Sequence, residues 1–324
     1  MGLITNALII GGTVIAANKV LYNMLFAKQP IQRSFQPIGN GKSLNFTYQH
    51  FGRHNWISPV KLDEIEINDL LKYDYIDFRI FKSGNKILSF RPYPHIERLN
   101  EILRQNGFKK ISESLIFESL KSFKDNLNSK EESIIRAGLW IKEKQNTYSC
   151  GDLTFSLFPA IPAQPIDISL VNCFEYPKHG LRPDYLLYYG QNILDGWKSS
   201  IFLVENDGAL ITPKFIHPAI TPFPIDTTVT RDSIMKIFSR FAIEKDIKID
   251  EIFDKKVKGA FLANDTLTIQ PISSISFNGK KKTCTDCDIM YKIHEDLRKY
   301  IMGKENITTK CEDNYTEEFW SHEL

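Results

Sequence analysis

Cys284-x-x-Cys287, with His294 and Cys311 downstream, is the spacing in this chain that most resembles a metal or thiol site. Cysteines at that spacing ligate zinc or exchange electrons, and two ordinary loop thiols are the bland alternative. No second Cys-x-x-Cys completes a set of four ligands, and the pair follows Lys280-Lys281-Lys282 in a polar loop. A second chemically suggestive stretch is Thr228-Val229-Thr230-Arg231-Asp232. It opens a helix, and Asp232 in the first turn suits the positive end of the helix dipole.

The elements around these residues can be read from turn signals and periodicity. Residues 192–272 read as strand, turn, strand, loop, helix, strand. Asn206-Asp207-Gly208 between two apolar runs is a hairpin signal. The helix from Asp232 is expected to reach about Ile247, and residues 260–272 are expected as a strand. Upstream, 62–71 reads as a helix, 75–81 alternates as a strand, and 83–86 turns into a second strand. Helices are expected near 113–127 and 131–134, and strands at 138–142, 154–159 and 166–171. Residues 288–303 form an amphipathic helix with Ile289, Ile293, Leu297 and Ile301 on one stripe.

The order of these pieces resembles the fold-type IV enzymes that use pyridoxal phosphate, and among them the branched-chain aminotransferases. Asp195-Gly196 through Phe202 resembles the family's Glu-Gly-x-x-x-Asn-(Ile/Leu)-Phe block. Asp207-Gly208-Ala209-Leu210-Ile211-Thr212-Pro213 matches its Asp-Gly-x-(Leu/Val)-x-Thr-Pro block. Thr228 to Asp232 is similar to Gly-(Ile/Val)-Thr-Arg-Asp, with threonine in place of glycine. Phe90-Arg91-Pro92 and His95-Ile96-Glu97-Arg98-Leu99 are similar to the family's Phe-Arg-Pro and His-x-x-Arg-Leu. The likeness spans about half of the chain, and a fold does not by itself fix a function.

The resemblance implies a cofactor site. A lysine forms the Schiff base, a carboxylate keeps the pyridine nitrogen protonated, and a cup of donors holds the phosphate. Arg91 falls on the family's phosphate-binding arginine, whose planar fork grips phosphate bidentately. Asp195 falls on the pyridine carboxylate, one methylene shorter than glutamate. Val229 and Thr230 fall in the phosphate cup. The family's Lys-x-Gly-Gly-Asn-Tyr strand and the helix after it are missing. Cys173-Phe174-Glu175-Tyr176-Pro177-Lys178-His179-Gly180 runs almost directly into 181–189, leaving Lys178 as the weak candidate for the lysine. Asp265 stands where the family has a phosphate-binding threonine, and a carboxylate facing a phosphate repels it. Arg91 is then expected to pair with a carboxylate, Asp265 being one choice. No covalent pyridoxal phosphate is expected.

The amino end suggests a setting. Residues 7–17 carry no charge, and a helix over 3–26 would be ~36 Å long against a bilayer core of ~30 Å. Ala7/Gly11 and Gly12/Ala16 are small-xxx-small pairs that let another helix approach closely. Asn6, Asn18 and Lys19 oppose a membrane span, so a helix packed on a partner protein or in the core remains open. No basic residue precedes the apolar run, as a secretory leader would require. A net charge of +2 supplies no field for nucleic acid, and five irregularly spaced cysteines do not make a disulfide scaffold.

The expectation is therefore an α/β (α+β), fold-type IV aminotransferase-like protein of two domains with an N-terminal membrane or partner-packed helix. Its parts are an anchor at 1–28, a linker at 29–43, a small domain at 44–158 and a large domain at 159–324. The expected role is a non-catalytic accessory or structural subunit, a pseudoenzyme without cofactor or metal. Its partners would be membrane lipid and other subunits, in a mitochondrial inner-membrane respiratory or ATP-synthase complex. The alternative is an active pyridoxal-phosphate aminotransferase of the branched-chain type, with Lys178 or another lysine recruited.

Overall fold

The computed structural model describes residues 31–34, 43–50, 70–83, 85–127, 132–143, 149–160, 163–174, 185–196, 198–214, 228–285, 288–302, 307–311, 314–318 and 321–324. The expected helix at 3–26, Lys178 and Cys287 lie outside these residues. Among the described residues no helix is long and apolar enough to cross a membrane.

Two large sheets carry the chain. The first contains β1 (Ile31–Ser34), β2 (Ser43–His50), β3 (Leu70–Ser83), β4 (Lys86–Phe90), β5 (Glu132–Glu143) and β6 (Ser149–Pro159). The second contains β7 (Ile166–Asn172), β8 (Tyr185–Tyr189), β9 (Asn192–Gly196), β10 (Ser200–Glu205), β11 (Leu210–Pro213), β12 (Ala242–Lys245), β13 (Val257–Asn264), β14 (Thr268–Phe277) and β15 (Lys280–Thr283). β16 (Ile307–Cys311) and β17 (Asn314–Glu318) form a separate hairpin, and β18 (Ser321–Glu323) returns to pair with β4. The first sheet runs β1-β2-β6-β5-β3-β4-β18, and the second β12-β11-β10-β13-β14-β7-β8-β9 with β15 beside β14. Five α-helices are described: α1 (Pro92–Gln105), α2 (Glu113–Lys121), α3 (Val229–Ile237), α4 (Ile249–Ile252) and α5 (Asp288–Ile301).

The second sheet is buried on both faces, which explains its continuous apolar runs. In β10, Ile201 and Leu203 enter one core, while Phe202 and Val204 enter the other. Strand side chains alternate, so a strand covered on both sides must be apolar at every position. β13 repeats the pattern, and its Phe261 lies opposite Phe202 with the rings stacked at 5.1 Å. α3 and α5 cover the Phe202 face with Ile234, Met290, Ile293 and Leu297.

β3 is different because only one of its faces is apolar. Ile76, Phe78 and Ile80 pack with Leu99 and Leu103 of α1 in the first sheet's core. The alternate residues Asp77 and Arg79 are polar yet buried, so they need partners. Arg136 of β5 supplies Asp77 with two hydrogen bonds, of 2.7 and 2.8 Å. Thr266, in the turn between β13 and β14, donates its hydroxyl to the same carboxylate. Arg79 donates to the Thr266 carbonyl at 2.5 Å and to Glu132 at 2.7 Å, and Arg298 of α5 also donates to Glu132 at 2.7 Å. This polar chain joins the first sheet to the β13–β14 turn and to α5.

Several sequence expectations change. Of the stretch 131–134, read as a helix, the described residues 132–134 instead open β5, where Ile134 and Ile135 are buried on opposite faces; two adjacent β-branched residues suit that environment. α3 ends at Ile237 rather than near Ile247, because the chain turns at Phe238–Phe241 to add β12 beside β11. Residues 260–272 fold back as two strands rather than one. Leu70 and Leu71, expected in a helix, open β3, and 31–34 within the expected linker is a strand.

Candidate functional site

Between the polar face of β3 and the second sheet lies a cleft reached by three local structures. These are the β9–β10 loop, the first turn of α3, and the β13–β14 turn.

The end of β9 carries Asp195, and the β9–β10 loop carries Lys198. Asp195, next to last in β9, is buried and accepts a hydrogen bond from the Ile201 N–H at 2.7 Å. Burial raises its pKa to about 7, against the opposing pull of that N–H, Arg231 and Ser200. The loop then tightens so far that a Cβ on Gly196 would lie 2.3 Å from the Ser199 hydroxyl, which explains glycine there. Lys198 takes a left-handed conformation with φ 51°. That bend sends its ammonium across to the first sheet. There it forms an ion pair with Asp74, donates to the Tyr75 carbonyl at 2.6 Å and sits 4.6 Å from the Tyr75 ring centre. Sequence reasoning did not single out Lys198, because its reach depends on a positive φ that lysine rarely adopts.

The first turn of α3 is the anion end of the cleft. Thr228 is its N-cap, and its hydroxyl oxygen accepts from the Arg231 N–H at 3.0 Å. Thr228 thus acts as the cap of this helix. Val229 is buried in the same turn. The Thr230 N–H donates to Asp265 Oδ1 at 2.9 Å. The Thr230 hydroxyl lies 2.8 Å from that oxygen and 3.1 Å from the Asn264 carbonyl, and donates to one of them at a time. Arg231 fastens the helix to the sheet edge through the Pro213 carbonyl at 2.7 Å and Glu244 at 2.8 Å.

Asp265 heads the β13–β14 turn. Its second oxygen lies 3.6 Å from Arg98 Nη1 and 3.8 Å from His95 Nδ1. Burial opposes its charge, but His95, Arg98 and the Thr230 donors outweigh burial and hold its carboxyl below the ordinary range. His95 itself is pushed down to about 4, chiefly by burial. It is neutral at pH 7, so Arg98 and Thr230 supply most of the stabilisation there.

Arg91 does not pair with Asp265. It is the N-cap of α1, with φ 42°, and its Nη1 meets Asp232 at 2.7 Å and the Ser233 hydroxyl at 3.0 Å. Asp265 is already surrounded by Thr230, Arg98 and His95. Asp232, half-exposed in the same helical turn, is the carboxylate within reach.

Tyr75, Asp77, Arg98, Lys198, Thr228 and Asp265 surround a cavity of about 20 Å³, room for about one water. Asp195 is not among its walls. These residues do not fit pyridoxal phosphate. The Thr230 N–H and hydroxyl already face Asp265, and that carboxylate opposes a second anion. The lysine at the cavity is committed to Asp74 and Tyr75. Cys284 is buried, and among the described residues no group of three metal-ligating side chains occurs.

A pH dependence follows from Asp195. Its raised pKa means that the folded state keeps a proton which the unfolded chain releases at ordinary carboxylate pH. Its contribution to stability therefore falls as pH rises toward 7 and stays low above it. Asp195→Asn keeps an acceptor for Ile201 and removes the titration. Relative to the unsubstituted protein, the variant should gain up to about 4 kcal/mol between pH 4 and pH 8 in urea unfolding. A stability difference that stays flat across that range would contradict the assignment.

No protein-family model matches the sequence, and a search of curated proteins finds no relative. Solved structures do match. The branched-chain aminotransferase of Thermoproteus uzoniensis is 20% identical, with 72% of this chain covering 86% of that one at a TM-score of 0.54. The branched-chain amino acid aminotransferase of Thermobaculum terrenum in its PLP form is 16% identical, with coverages of 72% and 86% and a TM-score of 0.55. That of Escherichia coli is 17% identical, with coverages of 77% and 88% and a TM-score of 0.53. At these identities the likeness is one of fold, and the chain has the fold-type IV architecture of the branched-chain aminotransferases.

Proposed function

We propose that this protein is a non-catalytic, aminotransferase-like subunit that uses an old enzyme fold as a scaffold for other proteins. The observation that carries the reading is the pairing of the cleft's charges within the chain. Asp265 takes the donors of α3, and Lys198 is held by Asp74 and Tyr75. Catalysis with an electrophilic cofactor needs an amine that is free to attack and donors that are free to hold its phosphate. Among the described residues both are engaged within the chain, and the cavity that Lys198 and Asp265 line measures about 20 Å³.

The setting belongs to the same proposal. The uncharged run at 7–17 and its small-residue pairs would anchor the scaffold in a bilayer or against partner helices. A mitochondrial inner-membrane complex is the setting to test first. Carbonate extraction should leave the full chain in the membrane fraction and release a chain lacking residues 1–28. Equal release of both would remove the anchor from the account.

The second reading, an active aminotransferase, has one observation in its favour: Asp195 in β9 and a lysine, Lys198, in the loop after it lie three residues apart. A spectrum separates the two. The purified protein should show no borohydride-sensitive absorbance in the visible and should not transaminate leucine. A visible band that borohydride removes, and that Lys178→Ala or Lys198→Ala abolishes, would establish the second reading instead.

A further inference from the structure

The helix that ends the cleft offers more than a broken cofactor site. α3 presents the Thr230 N–H and hydroxyl in its first turn, where backbone donors and the helix dipole attract an anion. Two further groups converge on the same point from α1. Arg98 lies 3.6 Å from Asp265 Oδ2. His95 is 2% exposed, and its Nδ1 has no hydrogen-bond partner and lies 3.8 Å from that oxygen. A buried ring nitrogen aimed at a carboxylate just beyond bonding distance marks a place shaped for a somewhat larger group.

We propose that Asp265 is a resident anion: its carboxylate occupies an oxyanion site, and removing it leaves a site that takes a free tetrahedral oxyanion such as inorganic phosphate. The inference rests on the non-catalytic reading of the cleft. It goes beyond that reading by assigning Asp265 the role of an internal ligand. A planar carboxylate brings two oxygens, one satisfied by Thr230 and the other left at long range from Arg98 and His95. A tetrahedral anion brings more oxygens on a wider frame and can address both groups at once. In the unsubstituted chain, the cost of placing a second anion beside Asp265 keeps phosphate and phosphorylated small molecules out. The scaffold is thereby insulated from their concentrations.

The test uses the full chain in detergent. Thermal unfolding is followed in inorganic phosphate and in chloride at matched ionic strength, and phosphate binding is measured by calorimetry. The unsubstituted protein should not respond to phosphate beyond the chloride control. Asp265→Ala should show a saturable, phosphate-specific rise in its midpoint of a few degrees. Adding Thr230→Val should weaken that binding by roughly tenfold, the loss expected when one hydroxyl donor to an anion is removed.

Should Asp265→Ala fail to fold in chloride, native circular dichroism recovered by adding phosphate supports the proposal. No recovery, with Asp265→Asn also insensitive to phosphate, overturns it. A folded Asp265→Ala variant that ignores phosphate overturns it, as does an unsubstituted protein that binds phosphate equally well. A colourless protein with a phosphate-insensitive variant defeats this inference alone. A borohydride-sensitive visible band in the unsubstituted protein defeats the non-catalytic reading beneath it.

Discussion

Two carboxylates, the buried Asp77 and the largely enclosed Asp265, whose side chain is 14% exposed, shape the cleft. A buried carboxylate must be met by donors, because its desolvation is otherwise prohibitive. Asp77 is met by Arg136 from its own sheet and by Thr266 from the other sheet's turn. Asp265 is met by Thr230 from α3 and approached by Arg98 from α1. The β13–β14 turn is thus tied to the first sheet through Thr266 and to α3 and α1 through Asp265. Losing Arg136 from beneath Asp77 would cost about 3–5 kcal/mol, the usual penalty for stranding one member of a buried pair.

This arrangement separates what holds the fold from what lines the cleft. The cores on the two faces of the second sheet depend on alternating apolar residues such as Ile201, Phe202, Leu203 and Val204, and nothing in them refers to a cofactor. The cleft sits outside those cores. Its residues can change from cofactor ligands to internal ion pairs while the packing persists, provided that each buried charge finds a partner. Asp195 shows what remains when its partners fall short: burial outweighs the Ile201 N–H, Arg231 and Ser200 and leaves its pKa at about 7. It is the cleft's least settled charge.

Much of the fold was legible because its signals are local. Asn206-Asp207-Gly208 marks the β10–β11 hairpin, and the stripe of Ile293, Leu297 and Ile301 marks α5. The errors arose where local and tertiary preferences compete. Asn264-Asp265-Thr266 carries turn residues, yet the apolar residues on both sides read as a single strand. The stretch 131–134 lacked a signal strong enough to oppose a helix, and pairing of 132–134 with β3 decided the matter for those residues. The site was less legible still. Which carboxylate meets Arg91 is a question of tertiary distance, and Asp232 holds that place rather than Asp265. Lys198 was hidden because its direction comes from a left-handed backbone.

The Asp265 carboxylate holds the Thr230 donors of α3. A crystal structure of the purified full chain, grown in excess pyridoxal phosphate, tests this most directly. The account predicts that the Thr230 N–H and hydroxyl remain on Asp265 Oδ1 and that Lys198 remains with Asp74. Density for a phosphate on Thr230 with Asp265 turned away, or continuous density from a lysine to a pyridoxal ring, would contradict it.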